Sequence, residues 1–150
     1  LTEMEEEEES LLVTETPIEV RYQETDQMGV VYHANYLVWF EIGRTKFVEA
    51  LGLNYQQGME QHHVVSPVID AQISYKNAVR YGEKPVVKTW LEDYDGLRTV
   101  YRYEILTEKG DIAVTGTTTH TIVDKDTFRP LSIRRKFPDW HAAYQKQLGS

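Results

Sequence analysis

The sequence predicts an α+β fold in which an antiparallel sheet wraps one long apolar helix. Three observations carry this: a helical period over Asn35 to Gly52, a series of period-two segments behind it, and tight turn signals between those segments. With 150 residues, 41% of them hydrophobic and 11% aromatic, the chain has enough apolar material for one packed core.

The first element is not a structured one. Residues 1–15 hold Glu3, Glu5 to Glu9 and Glu15 and no basic group, and a block of like charges repels itself and resists burial, so a disordered acidic arm is expected there. With seven of the 24 acids on the arm, 17 remain against 16 bases, and residues 16–150, expected to form a single domain, are nearly neutral despite the overall charge of -8. Structure is expected to begin near Pro17, where Ile18, Val20 and Tyr22 alternate with Glu19, Arg21 and Gln23 as in a half-buried strand.

The helix follows a loop. Tyr36, Phe40, Gly43, Phe47 and Ala50 or Leu51 recur at steps of three and four, with Asn35 placed to cap the start and Gly52 to end it. At 1.5 Å per residue this helix would be about 24 Å long. Leu37, Val38, Trp39 and Ile42 widen the apolar surface beyond one stripe, so cover is expected on most sides. Gly43 costs roughly 1 kcal/mol relative to Ala inside a helix, which points to a close neighbour at that backbone.

Strands then dominate. Ile69, Ala71, Ile73 and Tyr75 alternate with polar residues, and Val86 to Tyr94 is rich in Val, Trp, Leu and Tyr. Asp95-Gly96 is a hairpin signal leading into Thr99 to Ile105, and Lys109-Gly110-Asp111 turns the chain into Ile112 to Val123. These four strands are expected as an antiparallel meander, followed by a short terminal helix over Trp140 to Leu148.

Several function classes drop out. With no Cys, a disulfide framework, a thiolate metal site and a Cys nucleophile are excluded, and a cytoplasmic location is the expectation. Apolar runs such as Tyr36 to Phe40 are too short to span a bilayer, and the acidic start does not suggest a secretory leader. No GxGxxG, GxxxxGK or GxSxG pattern occurs. His62 and His63, adjacent on a strand, would point to opposite faces and hold no metal; His120 and His141 read as ordinary polar positions. No nucleic-acid partner is expected.

The informative stretch is Tyr22 to Tyr36. It joins the first strand to the helix through a loop containing Asp26, Gly29 and His33, and presents free backbone N–H groups at a helix start. Such donors favour an oxyanion or a polarised carbonyl, and a nearby carboxylate can act as nucleophile or general base. The residues also admit a plain reading, in which Asp26 and Gly29 are turn residues and Asn35 is a cap.

The run RYQETDQMGVVYHANYLVWFEIGR, Arg21 to Arg44, resembles the hotdog-fold acyl-CoA thioesterases of the 4-hydroxybenzoyl-CoA thioesterase family, in particular the YbgC-like acyl-CoA hydrolases. The resemblance extends from Pro17 to about Pro130, including Ser66-Pro67-Val68 and Ala78 to Glu83. It implies a five-stranded antiparallel sheet wrapped around one long central helix, in agreement with the pattern above. It also implies hydrolysis of an acyl-CoA without metal or redox cofactor, with Asp26 as the catalytic carboxylate, the His33 amide as the carbonyl-polarising donor, and Tyr22 and His33 side chains assisting. It implies homodimers with interfacial sites that assemble to homotetramers. Coenzyme A phosphates call for cations, for which Arg80, Arg134, Arg135 and Lys136 are the candidates. Two alternatives stand beside the hydrolase: a hydratase or dehydratase of acyl thioesters, and a non-catalytic acyl-CoA-binding protein.

Overall fold

The computed structural model describes residues 11–148. Its elements are β1 (Thr14–Pro17), a 3-10 turn (Tyr22–Glu24), α1 (Asn35–Ala50), α2 (Tyr55–Gln61), β2 (Val64–Val65), β3 (Val68–Tyr75), β4 (Val86–Tyr94), β5 (Arg98–Leu106), β6 (Ile112–Thr121), β7 (Val123–Asp124), α3 (Ile133–Lys136) and α4 (Pro138–Gln147). Five strands form one antiparallel sheet in the order β1-β4-β5-β6-β3, and β2 pairs with β7.

The start of the sheet differs from the sequence expectation. Thr14 and Glu15, counted with the acidic arm, pair with Thr89 and Lys88 in β1, while residues 1–10 of that arm lie outside the described residues. The expected strand over Ile18 to Tyr22 is absent. Pro17 pairs with Val86, the first residue of β4, and the ladder ends there with one further bond, from the Ile18 amide to the Pro85 carbonyl at 2.9 Å. Ile18 and Val20 are nevertheless buried between exposed Glu19 and Arg21. The alternation reported which side of an extended chain meets the core, and not whether a strand pairs with it.

Helix α1 lies against β4, β1 and β5 and buries Tyr36, Trp39, Phe40, Gly43, Phe47 and Val48. Burying side chains of this size stabilises by about 1.5 to 3 kcal/mol each, and Trp39, Phe40, Phe47 and Val48 are fully buried. Phe40 stacks on Tyr103 with ring centroids 4.2 Å apart. The close approach expected at Gly43 is present: a Cβ there would lie 2.5 Å from Thr89 Oγ1 and 2.8 Å from Val87 Cγ1. The expected cover on most sides is not provided within one chain, because Leu37, Val38 and Ile42 stay 43%, 42% and 38% exposed on the face away from the sheet. Three shorter helices accompany α1.

The meander is also revised. Hairpins join β4 to β5 and β5 to β6 as expected, but β3 pairs with β6 from Val68↔His120 to Tyr75↔Val114 and so sits at the far edge from β1. Segment 76–85 carries the chain across the sheet, which turn residues alone do not announce. The eight residues of β3 are largely exposed, with Val68, Ile69 and Tyr75 at 50%, 47% and 53%, and one of their flanks presents unpaired backbone groups. At the C-terminus, α4 packs Trp140 and Tyr144 into the core, where the Tyr144 hydroxyl lies 2.9 Å from that of Tyr101.

Candidate active site

The loop between the 3-10 turn and α1 is a short closed structure. Thr25 bridges Val31, the Asp26 amide donates to the Val30 carbonyl at 2.8 Å, and Gly29 turns the chain at φ +80°. Asp26 Oδ1 accepts from the Met28 amide at 2.8 Å and from the Val30 amide at 3.4 Å, which fixes the carboxylate in its own turn. The loop is tied to the neighbouring segment by Val31 N–H on the Val79 carbonyl at 2.8 Å and by a bridge between Val30 and Arg80.

The helix start is arranged differently from expectation. Asn35 is the first residue of α1 and not its cap; the cap position is Ala34, whose side chain accepts nothing. Asn35 Nδ2 instead donates to the Glu24 carbonyl at 2.9 Å, and the same carbonyl accepts the Tyr32 amide at 2.8 Å. The Asn35 and Tyr36 amides go to the Tyr32 and His33 carbonyls. Among the described residues the His33 and Ala34 amides have no backbone or side-chain acceptor, so two N–H groups are left open at the positive end of α1.

Glu24 is the polar residue that sequence reasoning missed. It is 3% exposed, accepts the Trp39 indole N–H at 2.9 Å on one carboxylate oxygen, and accepts the Arg21 amide at 2.8 Å on the other, with Arg21 Nε 3.5 Å away. Burial pushes this carboxyl up, but the Arg21 N–H, the Trp39 indole and the Arg21 guanidinium outweigh it and hold it below the usual carboxylate range. Nothing in the local pattern flags it; a carboxylate fifteen residues ahead of a buried Trp becomes informative only when both meet.

The structure brings some of the sequence candidates together. Asp26 and Arg80 are linked through Val30, whose carbonyl accepts the Asp26 amide and which bridges Arg80, and the same loop runs on to His33. Tyr22 is 77% exposed, with its ring edge-on to Tyr81 at 5.7 Å, and the His33 ring lies 4.4 Å from Tyr32 and 6.3 Å from Tyr75. Among the described residues neither the Tyr22 nor the His33 side chain hydrogen-bonds Asp26. Arg134, Arg135 and Lys136 are exposed on α3, and Lys136 lines a cleft of about 410 Å³ with Gly52, Leu53 and Phe137, past the C-terminal end of α1. The length of α1 therefore separates them from His33 of the same chain. A cleft of about 980 Å³, lined by Thr45, Glu49, Met59, Val64 and Ser66 among others, also lies toward that end and includes neither Asp26 nor His33.

Three histidines depart from expectation. His62 closes α2 and His63 occupies the following turn, 2.9 Å from Asp126, rather than a strand. His120 is 2% exposed; its Nε2 lies 2.9 Å from Thr118 Oγ1, which lies 2.6 Å from the Tyr103 hydroxyl, and Arg44 donates to that hydroxyl at 3.3 Å. Burial, reinforced by the Arg44 charge, pushes the imidazole down to about 3 and keeps it neutral. Expected as an ordinary polar position, His120 is instead turned inward; the signal that could have found it is the period of β6, whose inward face carries Val114, Gly116 and Thr118 as well.

The model of the thioesterase-like superfamily matches residues 20–148. The chain belongs to the thioesterase-like superfamily. Within it, the chain is 54% identical over 134 residues to YneP of Bacillus subtilis (strain 168), whose acyl-CoA thioesterase name is provisional, covering 89% of this chain and 96% of that one. It is 30% identical over 90 residues to the acyl-CoA thioesterase YbgC of Haemophilus influenzae, covering 60% of this chain and 66% of the relative. Among solved structures, a DHNA-CoA thioesterase from Staphylococcus aureus superposes with a TM-score of 0.87 at 49% identity, covering 89% of each chain. The resemblance carried by Arg21 to Arg44 is thereby upheld at the level of the family.

Proposed function

We propose that this member of the thioesterase-like superfamily hydrolyses an acyl-CoA thioester to a free carboxylic acid and coenzyme A. One arrangement supports the proposal: Asp26 is held in the loop that leads into α1, and the His33 and Ala34 amides at that helix start have no backbone or side-chain acceptor among the described residues. The carboxylate oxygen attacks the thioester carbonyl, or takes a proton from the water that does. The carbonyl oxygen gathers negative charge as it becomes tetrahedral, and the His33 N–H, backed by the positive end of α1, is a preorganised donor for it. Collapse of that intermediate breaks the C–S bond and releases the coenzyme A thiolate, which takes up a proton. When Asp26 is the nucleophile, an Asp26–acyl anhydride is left, which water cleaves to the free acid and the restored carboxylate; when water is the nucleophile, the free acid forms directly. The Tyr22 and His33 side chains orient the carboxylate, the thioester or the water.

Arg80, exposed and bridged through its backbone to the loop, is a cation for coenzyme A phosphates. Arg134, Arg135 and Lys136 would reach such a ligand from a second copy rather than from the same chain. A homodimer fits the bare edge of β3 and the apolar Leu37, Val38 and Ile42 on α1, which a partner would cover, completing the enclosure of a central helix; two dimers would form the tetramer. Residues 16–150 act as one domain, and the cytoplasm is the proposed location. The Staphylococcus relative at 49% identity is a DHNA-CoA thioesterase, so an aromatic acyl group is the first substrate class to try.

The test is Asp26→Ala on aromatic and aliphatic acyl-CoAs, with released thiol as the readout. Removal of a single oxyanion donor costs about 2.7 to 4 kcal/mol in other enzymes, and loss of the carboxylate should cost at least as much. A folded variant that keeps more than about a tenth of wild-type turnover, a loss under about 1.4 kcal/mol, would refute the assignment. Saturable binding without released thiol would favour the non-catalytic alternative, and hydrated or dehydrated thioester products would favour the lyase.

A further inference from the structure

We infer that Glu24 and Trp39 form a positioning pair that sets the Asp26 loop against the start of α1, and so fixes the Asp26 carboxylate relative to the His33 amide. The inference rests on the hydrolase reading above. Residue 24 makes four acceptor contacts. Its carboxylate takes the Arg21 amide at 2.8 Å and the Trp39 indole at 2.9 Å; its carbonyl takes the Tyr32 amide at 2.8 Å and Asn35 Nδ2 at 2.9 Å. Three of the four donors belong to the helix start or its approach. Asp26 lies two residues after Glu24, and His33 directly follows Tyr32, so one buried residue spans the two halves of the site.

Filling space does not account for a carboxylate here. Glu24 is 3% exposed and Trp39 fully buried, and a buried charge is costly unless directional hydrogen bonds satisfy it. An apolar residue would pack that position at lower cost but could not hold the indole N–H in one orientation. Trp39 is itself confined, with its ring edge-on to Tyr36 at 5.3 Å, so the bond ties the loop to the rigid part of α1. Among the described residues neither side chain hydrogen-bonds the carboxylate of Asp26, which makes this a positioning role. A displacement of about 1 Å at a reacting group can cost on the order of 10²-fold in rate.

The test compares Trp39→Phe, Glu24→Gln, Glu24→Leu and the double Glu24→Leu/Trp39→Phe with wild type and Asp26→Ala, on the acyl-CoA that wild type turns over fastest. Trp39→Phe keeps an aromatic ring and deletes the N–H; Glu24→Gln keeps one acceptor oxygen for the Trp39 indole and deletes the charge and the acceptor for the Arg21 amide. The expected result is a kcat at least about tenfold lower for Trp39→Phe and Glu24→Leu with KM within about threefold of wild type, a loss only of transition-state contacts. Glu24→Gln should stay within about threefold of wild type, and the double variant should be no more than about threefold worse than the worse single. A purely structural pair would lower the melting temperature and leave kcat per folded site unchanged. The proposal is overturned if folded Trp39→Phe keeps kcat within about twofold of wild type. It is equally overturned if Glu24→Gln falls as far as Glu24→Leu, or if both Trp39→Phe and Glu24→Leu fail to fold. Loss of activity in Asp26→Ala with a normal Trp39→Phe sinks the pair alone; retained activity in Asp26→Ala sinks the hydrolase reading, and the pair with it.

Discussion

Gly43→Ala sets two opposed effects against each other. Ala is the better helix former by about 1 kcal/mol, and Gly43 lies inside a 16-residue helix, so local propensity alone predicts a more stable protein. The tertiary contact predicts the reverse. The added methyl would stand 2.5 Å from Thr89 Oγ1 and 2.8 Å from Val87 Cγ1, both on β4 and both fully buried. Val87 and Thr89 pair with Ile105 and Tyr103 on one side and with Thr16 and Thr14 on the other, so the strand cannot step back without straining two ladders. Overpacking of this kind costs about 1 to 3 kcal/mol, and the stiffness of the neighbours argues for the upper end. Offsetting about 3 kcal/mol by the helix gain of about 1 leaves a loss near 2 kcal/mol, or about 4 to 8 °C in Tm for a chain of this length. Urea denaturation at pH 7 reads this directly, at one protein concentration for both proteins. Repeating it in a Thr89→Ala background removes the nearer contact, and the cost of Gly43→Ala should then fall by about 1 kcal/mol or more. A Gly43→Ala variant as stable as wild type would refute the packing argument.

His120 predicts a pH dependence. Its folded pKa is depressed to about 3, below the unfolded value of about 6.5, so the unfolded chain binds the proton first; stability is full above about pH 6.5 and declines toward pH 3, by up to about 1.4 kcal/mol per unit. The slope of urea midpoint against pH over that window should flatten in His120→Gln, and an unchanged slope would discount the buried imidazole. For the proposed assembly, Val38→Glu with Ile42→Glu puts two charges on the exposed face of α1. Light scattering should report a smaller species with unchanged far-ultraviolet circular dichroism, and an unchanged mass would remove that face from the interface.

What was legible in the sequence was what local pattern encodes. The span of α1, its close-packed Gly43, the turns at Asp95-Gly96 and Lys109-Gly110 and the run from Arg21 to Arg44 each depend on neighbours within a turn or a hairpin. The loop that holds Asp26 and leads to His33 was legible for the same reason, since the two lie seven residues apart. Asn35 illustrates the limit: a residue type common at caps stands one position too late and spends its amide on Glu24.

The remainder depends on contacts between residues far apart in the chain. A period of two states that one face of a segment is buried, and says nothing of which strand lies beside it; hence β3 at the far edge next to β6, and the end of the β1 ladder at Pro17. Charge counting found the basic group at Arg134 to Lys136, but the 16 residues of α1 separate it from His33. Glu24 looked like one more surface acid until the fold brought the Trp39 indole to it. By itself the sequence determined the long helix, the two hairpins, the family and the motif, because helix period, turn chemistry and a contiguous run are local. The tertiary structure decided strand order, the open α1 face and the buried Glu24–Trp39 pair, because burial and long-range hydrogen bonds exist only once distant segments meet.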